Sequence, residues 1–149
     1  MIRGFFMQKQ SFFCAIALAA LSVLVLTGCC HVQLYTEEAP AASAGNGYQV
    51  CASGTVRNSG YYLFNKYPLY TGHPDHPNRK DYHTFCDDIT PEVNSAILLN
   101  AMRKQYKAEK LTDVEHVETA WGYFSLWLVW RKSITTSAVG LKKAGNTRK

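Results

Sequence analysis

The sequence predicts an α+β fold: a small, mainly antiparallel sheet with one principal helix packed on it. Three observations predict this. Thr90-Pro91-Glu92 ahead of an apolar run marks a helix start. The flanking segments, GYQVCASGTV and YYLFNKYPLYTG before it and LTDVEHVETAWG and YFSLWLVWRKSITTSAVG after it, are rich in β-branched and aromatic residues. The 149 residues, 47% hydrophobic and 18% charged, suffice for one domain with a core and not for two.

The N-terminal thirty residues are of another kind. Arg3 and Lys9 precede an apolar run over residues 11–26, followed by Leu26-Thr27-Gly28-Cys29. A run of 16 residues is short for a bilayer core that takes about 20, and a basic start, a short apolar stretch and small residues describe a secretory signal. The competing reading is an uncleaved anchor helix. The LTGC motif resembles the lipobox of bacterial lipoproteins, and the likeness covers residues 1–29. It implies removal of a signal peptide over residues 1–28, a diacylglyceryl group on the Cys29 sulfur, and acylation of the new N-terminus. Cys30 fits less well, since its motif would read TGCC. Stable attachment takes two or more acyl chains, at about 0.8 kcal/mol per buried methylene. In enterobacterial lipoproteins an Asp after the lipidated cysteine implies retention in the inner membrane; here that residue is Cys30, so the resemblance implies the outer membrane rather than the inner.

After the cut, residues 29–46 read as the lipidated N-terminus and a flexible tether, because the chain from Glu37 onward is Ala-, Gly-, Ser- and Pro-rich without an apolar period. Residues 47–140 are the expected α+β domain. Within it, residues 47–69 look extended, residues 71–89 form a long polar loop, and a helix starts at Pro91 and runs to about Lys110. The first half of the helix is apolar on most sides. Two strands follow, turning near Gly122, and the second is apolar on both faces through Phe124, Leu126, Trp127, Leu128 and Trp130. That pattern suits a covered central strand or a contact surface. Gly140 is expected to end the strand and residues 141–149 to be a frayed basic tail. The segment YYLFNKYPLYTG, with the loop, helix and final strand after it, resembles small uncharacterised bacterial lipoproteins that carry a Y-L-F…P-L…G strand. That likeness brings no catalytic residues.

Charge excludes one class. The net charge is +5, but Arg3, Lys9, Lys142, Lys143, Arg148 and Lys149 sit at the ends, leaving 10 Lys or Arg against 11 Asp or Glu between. No clustered basic face for nucleic acid is visible.

The loop holds the densest set of potential ligands: His73, Asp75, His76, Asp81, His83, Cys86, Asp87 and Asp88. His73, His76, His83 and Cys86 offer the imidazole and thiolate donors that zinc or copper accepts, although Pro74 and Pro77 interrupt the first pair and the spacing matches no closed zinc motif. The bland alternative is a solvated polar loop, with Asp87 and Asp88 serving the positive end of the following helix. Cys51 and Cys86 are a candidate disulfide in an oxidising compartment, or two buried apolar residues. His116 and Glu118 share a strand face and could act as acid and base, but more often form a solvated edge. Tyr61, Tyr62, Tyr67 and Tyr70 suit stacking on a ligand or ordinary packing. There is no Gly-rich phosphate loop and no nucleophile motif.

The expectation is therefore a lipid-anchored cell-envelope protein with a structural or binding role and no catalysis, its partners membrane lipid through Cys29 and an envelope protein. Apart from the covalent lipid no cofactor is expected. The alternative is a periplasmic metal-binding lipoprotein that uses residues 73–88 for zinc or copper.

Overall fold

The computed structural model describes residues 31–123 and 127–144. They form an α+β fold of one antiparallel sheet and one helix. The strands are β1 (Val32–Glu38), β2 (Ser43–Gly45), β3 (Tyr48–Leu63), β4 (Tyr67–Gly72), β5 (Tyr82–Thr84), β6 (Lys110–Tyr123) and β7 (Val129–Lys143), and the helix α1 is Pro91–Tyr106.

The sheet is built on two long strands. β7 lies between β3 and β6, and the main order is β5-β4-β3-β7-β6. On its other edge β3 takes three partners in turn: β2 near Tyr48, β1 from Ala52 to Asn58, and β4 from Gly60 to Leu63. Side-chain alternation sorts the two faces. Ala52, Val56, Ile134, Thr136 and Ala138 are buried on the face toward α1. The other face carries hydroxyls that bond across strands, Thr55 with Ser137 at 3.0 Å and Thr119 with Ser133 at 2.8 Å.

Local chemistry sets the helix. Thr90 is extended, and its Oγ1 accepts from the Val93 N–H at 3.3 Å. Such a cap is worth about 1 kcal/mol. Pro91 takes the first turn, where its missing N–H costs nothing. At the other end Lys107 turns left-handed (φ 59°) and its N–H bonds back to Arg103. Helix α1 thus stops at Tyr106, short of the expected Lys110. Asn94, Ile97, Leu98 and Met102 recur at helical spacing and bury one stripe, whereas Ala96 is exposed, so the first half is apolar-facing on one side only. The core joins these to Val32, Cys51, Ala52, Val56, Ala108 and Ala138.

Four further expectations are corrected. The tether is strand in large part: β1 pairs with β3 over its whole length, Val32 is 1% exposed, and β2 pairs with Gln49 and Tyr48. An alternation in residues 32–36 is enough to form an edge strand once β3 supplies its unpaired groups. The C-terminal tail does not fray at Leu141. β7 continues to Lys143, with Leu141 buried and pairing with Val50 and Lys110. The apolar strand does not begin at Tyr123 either: Trp127 (φ 65°) and Leu128 form a turn ahead of Val129. Its turn lies past Gly122, and residues 124–126 are outside the described residues, as is Cys29 with the whole lipobox. The long polar loop, finally, contains β5 and is pinned at both ends, as described next.

Candidate metal centre

The ligand-rich segment is held by three anchors. β5 pairs with β4, His83 lying opposite Thr71. Asn78 substitutes for a strand residue beside β1: its Oδ1 accepts from Leu34 N–H at 2.9 Å, its Nδ2 donates to Leu34 O at 3.1 Å, and its own N–H donates to Val32 O at 2.8 Å. After β5, Phe85 turns left-handed (φ 58°), and the Asn58 amide donates to Asp88 O at 2.9 Å. The chain between β5 and α1 is thereby folded back onto β3 and β4.

That return brings His83, Cys86 and Asp88 together, one ligand atom from each lying within 4.8 Å of the other two. Tetrahedral coordination at zinc distances of about 2.0–2.3 Å separates ligand atoms by about 3.3–3.8 Å. Closing the group on an ion takes about 1 Å of movement, and Cys86 is exposed and able to make it. Asp88, largely buried, is fixed from two sides: its Oδ2 accepts from His83 Nδ1 at 2.8 Å and from Thr71 Oγ1 at 3.1 Å. A carboxylate only accepts, so in this pair His83 carries its proton on Nδ1, and holding one ion jointly with Asp88 requires that hydrogen bond to give way. Beside it, Asp87 accepts from the Tyr62 hydroxyl at 2.5 Å. Burial first, and then Asp87, push the Tyr62 phenol well above its ordinary range, so it stays a donor.

His73 and His76 extend the cluster without joining the three-atom group. The His73 ring lies 4.1 Å from His83 and 4.5 Å from His76, centroid to centroid. His73 Nδ1 accepts from the Asp75 N–H at 3.2 Å, which puts its proton on Nε2. His76 pairs with Asp81 at 3.0 Å. The sequence-based set His73, His76, His83 and Cys86 is thus divided, and Asp88 takes the third position. Its acidity was visible in the sequence, but its five-residue return to His83 depends on the β5 pairing.

The disulfide is corrected. Cys51 and Cys86 are free thiols, one buried and one exposed. Cys51 Sγ donates to Gly140 O at 3.2 Å near the start of β3, and burial pushes its thiol up. The Cys86 carbonyl accepts from Thr71, which pairs with Gly60 nine residues further along β3. At about 3.4 Å per residue that separates them by about 30 Å, far beyond the reach of a disulfide.

The other candidates are placed as follows. His116 bonds Thr136 Oγ1 at 2.8 Å on a solvated edge strand, rather than Glu118. Tyr62 is core, Tyr67 is exposed, and Tyr61 and Tyr70 pack with Tyr82 around His31 at 5.2–5.8 Å. A groove of about 1070 Å³ lies elsewhere, along Tyr35, Glu37, Ser53, Thr55 and Ser137. It holds hydroxyls and two separate acids, Glu37 and Asp113, and no imidazole or thiol. No helix among the described residues is long and apolar enough to cross a membrane. Compared with known proteins, the chain matches no family model, no curated protein and no solved structure.

Proposed function

We propose that the chain is a lipid-anchored bacterial cell-envelope protein that binds rather than catalyses, and that what it binds is a thiophilic transition-metal ion. The observation that carries the second part is the approach of His83, Cys86 and Asp88 to within 4.8 Å of one another. Imidazole, thiolate and carboxylate together suit zinc(II), and three protein ligands leave a fourth position open. Thr71 orients the Asp88 carboxylate from outside the group, as outer partners do in metal sites. The lipid anchor is supported by the LTGC motif at Cys29, and the outer membrane by the non-acidic Cys30.

Two experiments test the two parts separately. Cells fed a fatty-acid analogue should label the wild type and not Cys29→Ser, and equal labelling would end the anchor. The purified chain, dialysed against zinc, should retain about one ion, and His83→Ala or Cys86→Ser should weaken retention about tenfold or more. Unchanged retention in both variants refutes the metal centre.

A further inference from the structure

One end of the sheet differs from the rest of the surface. The β3–β4 turn lies beside the residues that lead into β7 there, the Phe64 N–H donating to Leu128 O at 2.8 Å beyond the last strand pair, Leu63 with Val129. Phe64, Tyr67, Trp121, Trp127 and Leu128 are all exposed at this end, Trp127 to 69%. Trp127 is tied in place there. Trp130 Nε1 donates to Trp127 O at 2.8 Å, and the two indoles pack at 5.5 Å. Leaving so much aromatic surface in water is unfavourable unless something covers it.

Cations outnumber acids around this end. Lys66 sits over Tyr67 and Arg131 pairs with Tyr61 and Trp121, while on the helix side Lys132 over Tyr62 is offset by Asp87. The sequence has no acid from Ala39 to Pro74 and none after Glu118. Asp87, bonded to Tyr62, lies on the helix side of the sheet. Exposed Trp, Tyr and Phe beside Lys and Arg is the composition of a surface that sits in the headgroup layer of a membrane.

The attachment point adds distance and direction. The His31 carbonyl accepts from Ser59 N–H at 2.9 Å, and β1 runs from there away from the aromatic end, toward Ala52. Ser59 is four residues from Leu63, about 14 Å along the strand. Cys29 precedes His31 by two residues, a reach of about 7 Å at most. A lipid on Cys29 therefore enters the bilayer close to the aromatic end, with no slack to hold the domain away.

We propose that this end of the sheet, centred on Phe64, Tyr67, Trp121 and Trp127, docks onto the same bilayer that takes the Cys29 lipid. The inference rests on the lipid-anchor reading for its geometry. The aromatic rings occupy the interface, and Lys66 and Arg131 meet phosphate groups. The domain stands on the membrane with this end down.

The three tryptophans of the chain, Trp121, Trp127 and Trp130, all lie at this end, so tryptophan emission excited at the red edge, where tyrosine does not absorb, reports on it alone. The acylated full chain is reconstituted into phosphatidylethanolamine–phosphatidylglycerol vesicles, with and without brominated acyl chains. Docking gives about a twofold loss of tryptophan emission with the brominated lipid, and Phe64→Ser with Trp127→Ser restores most of the remaining signal. Acylated, vesicle-bound protein with no quenching overturns the proposal while leaving the anchor intact. A blue shift that grows with protein concentration in the absence of vesicles, without quenching in their presence, also overturns it and assigns the surface to self-association. If mass analysis finds no acyl group, the anchor reading fails on its own. Docking then stands or falls by whether millimolar brominated vesicles quench the unacylated chain.

Discussion

Met102 is the residue that most directly ties α1 to the sheet, and its replacement gives a quantitative prediction. The side chain is fully buried, and it lies over two glycines. A Cβ added at Gly140 would stand 2.9 Å from Met102 Sδ, 3.2 Å from Ala108 Cβ and 3.7 Å from Ala52 Cβ. The thioether contact is the closest and the Ala108 Cβ at 3.2 Å is tight as well, so Met102 is the larger of two obstacles to a side chain at Gly140. Met102→Ala should cost about 2–5 kcal/mol through lost contacts and the cavity left behind. Gly140→Ala alone forces the thioether aside, at about 1–3 kcal/mol, offset by about 0.5–1 kcal/mol for removing a strand glycine. With Met102→Ala already in place the thioether obstacle is gone and only the Ala108 contact remains, so the same substitution should cost about 1–3 kcal/mol less than in the wild type. The coupling between the two sites is then about 1–3 kcal/mol, measurable by urea unfolding of the four chains of the cycle. An equal cost for Gly140→Ala in both backgrounds refutes the reasoning. Gly54 serves as a control: its added Cβ would also meet the Tyr35 carbonyl at 2.7 Å, which Met102→Ala cannot relieve.

Two further outcomes follow from single residues. Burial holds the His31 imidazole below its ordinary value, Arg131 adding to the effect and the Ser59 carbonyl opposing it. The folded chain keeps His31 neutral while the unfolded chain takes up a proton near pH 6.5, so stability is full above that pH and falls as pH drops below it toward the lowered folded value. The loss in unfolding midpoint between about pH 8 and about pH 5 should be smaller in His31→Gln than in the wild type, and equal losses would exclude His31 as the source. For the thiols, a chain with Cys14, Cys29 and Cys30 all replaced by Ser and treated with a thiol reagent should react at once at Cys86 and at Cys51 only on unfolding. Zinc should slow the first reaction, and a native chain in which neither thiol reacts would restore the disulfide.

What the sequence revealed was local chemistry. Thr90, Pro91 and Glu92 specify a helix start within three residues, so α1 was legible, and the β-branched content of β3 and β7 made a sheet legible. What it hid depended on distant partners. The β1 strand has only residues 32–36 to mark it before an Ala-Pro-Ala-Ala run, and its order comes from the free edge of β3 some twenty residues later. Gly140 looks like a stop because glycine usually breaks a strand, yet here it is mid-strand and kept clear chiefly by Met102. At the candidate metal centre the residue types were legible, and the grouping was not. Asp88 reads locally as an acid before a helix, and only the β4–β5 pairing and the turn at Phe85 bring it back to His83.

The loss of the tether changes what the two proposals have to do with each other. A domain on a flexible linker would bind its ion at no fixed height above the membrane. With β1 beginning at Val32, the linker shrinks to the few residues after Cys29, and the chain emerges from the sheet at Ser59. That is one residue from Gly60, whose partner Thr71 pairs with His83. The same β1 strand holds Asn78, and with it the loop that carries His73 and His76. On the proposed anchor reading, the point where the chain leaves the sheet toward Cys29 and the ligand cluster are therefore at one level of the sheet. On the proposed reading, the ion would be taken up and released at a set distance from the headgroups, within about two or three Debye lengths of an anionic surface that concentrates cations. Zinc affinity of the acylated chain on vesicles should then depend on vesicle charge and salt more steeply than that of the unacylated chain free in solution.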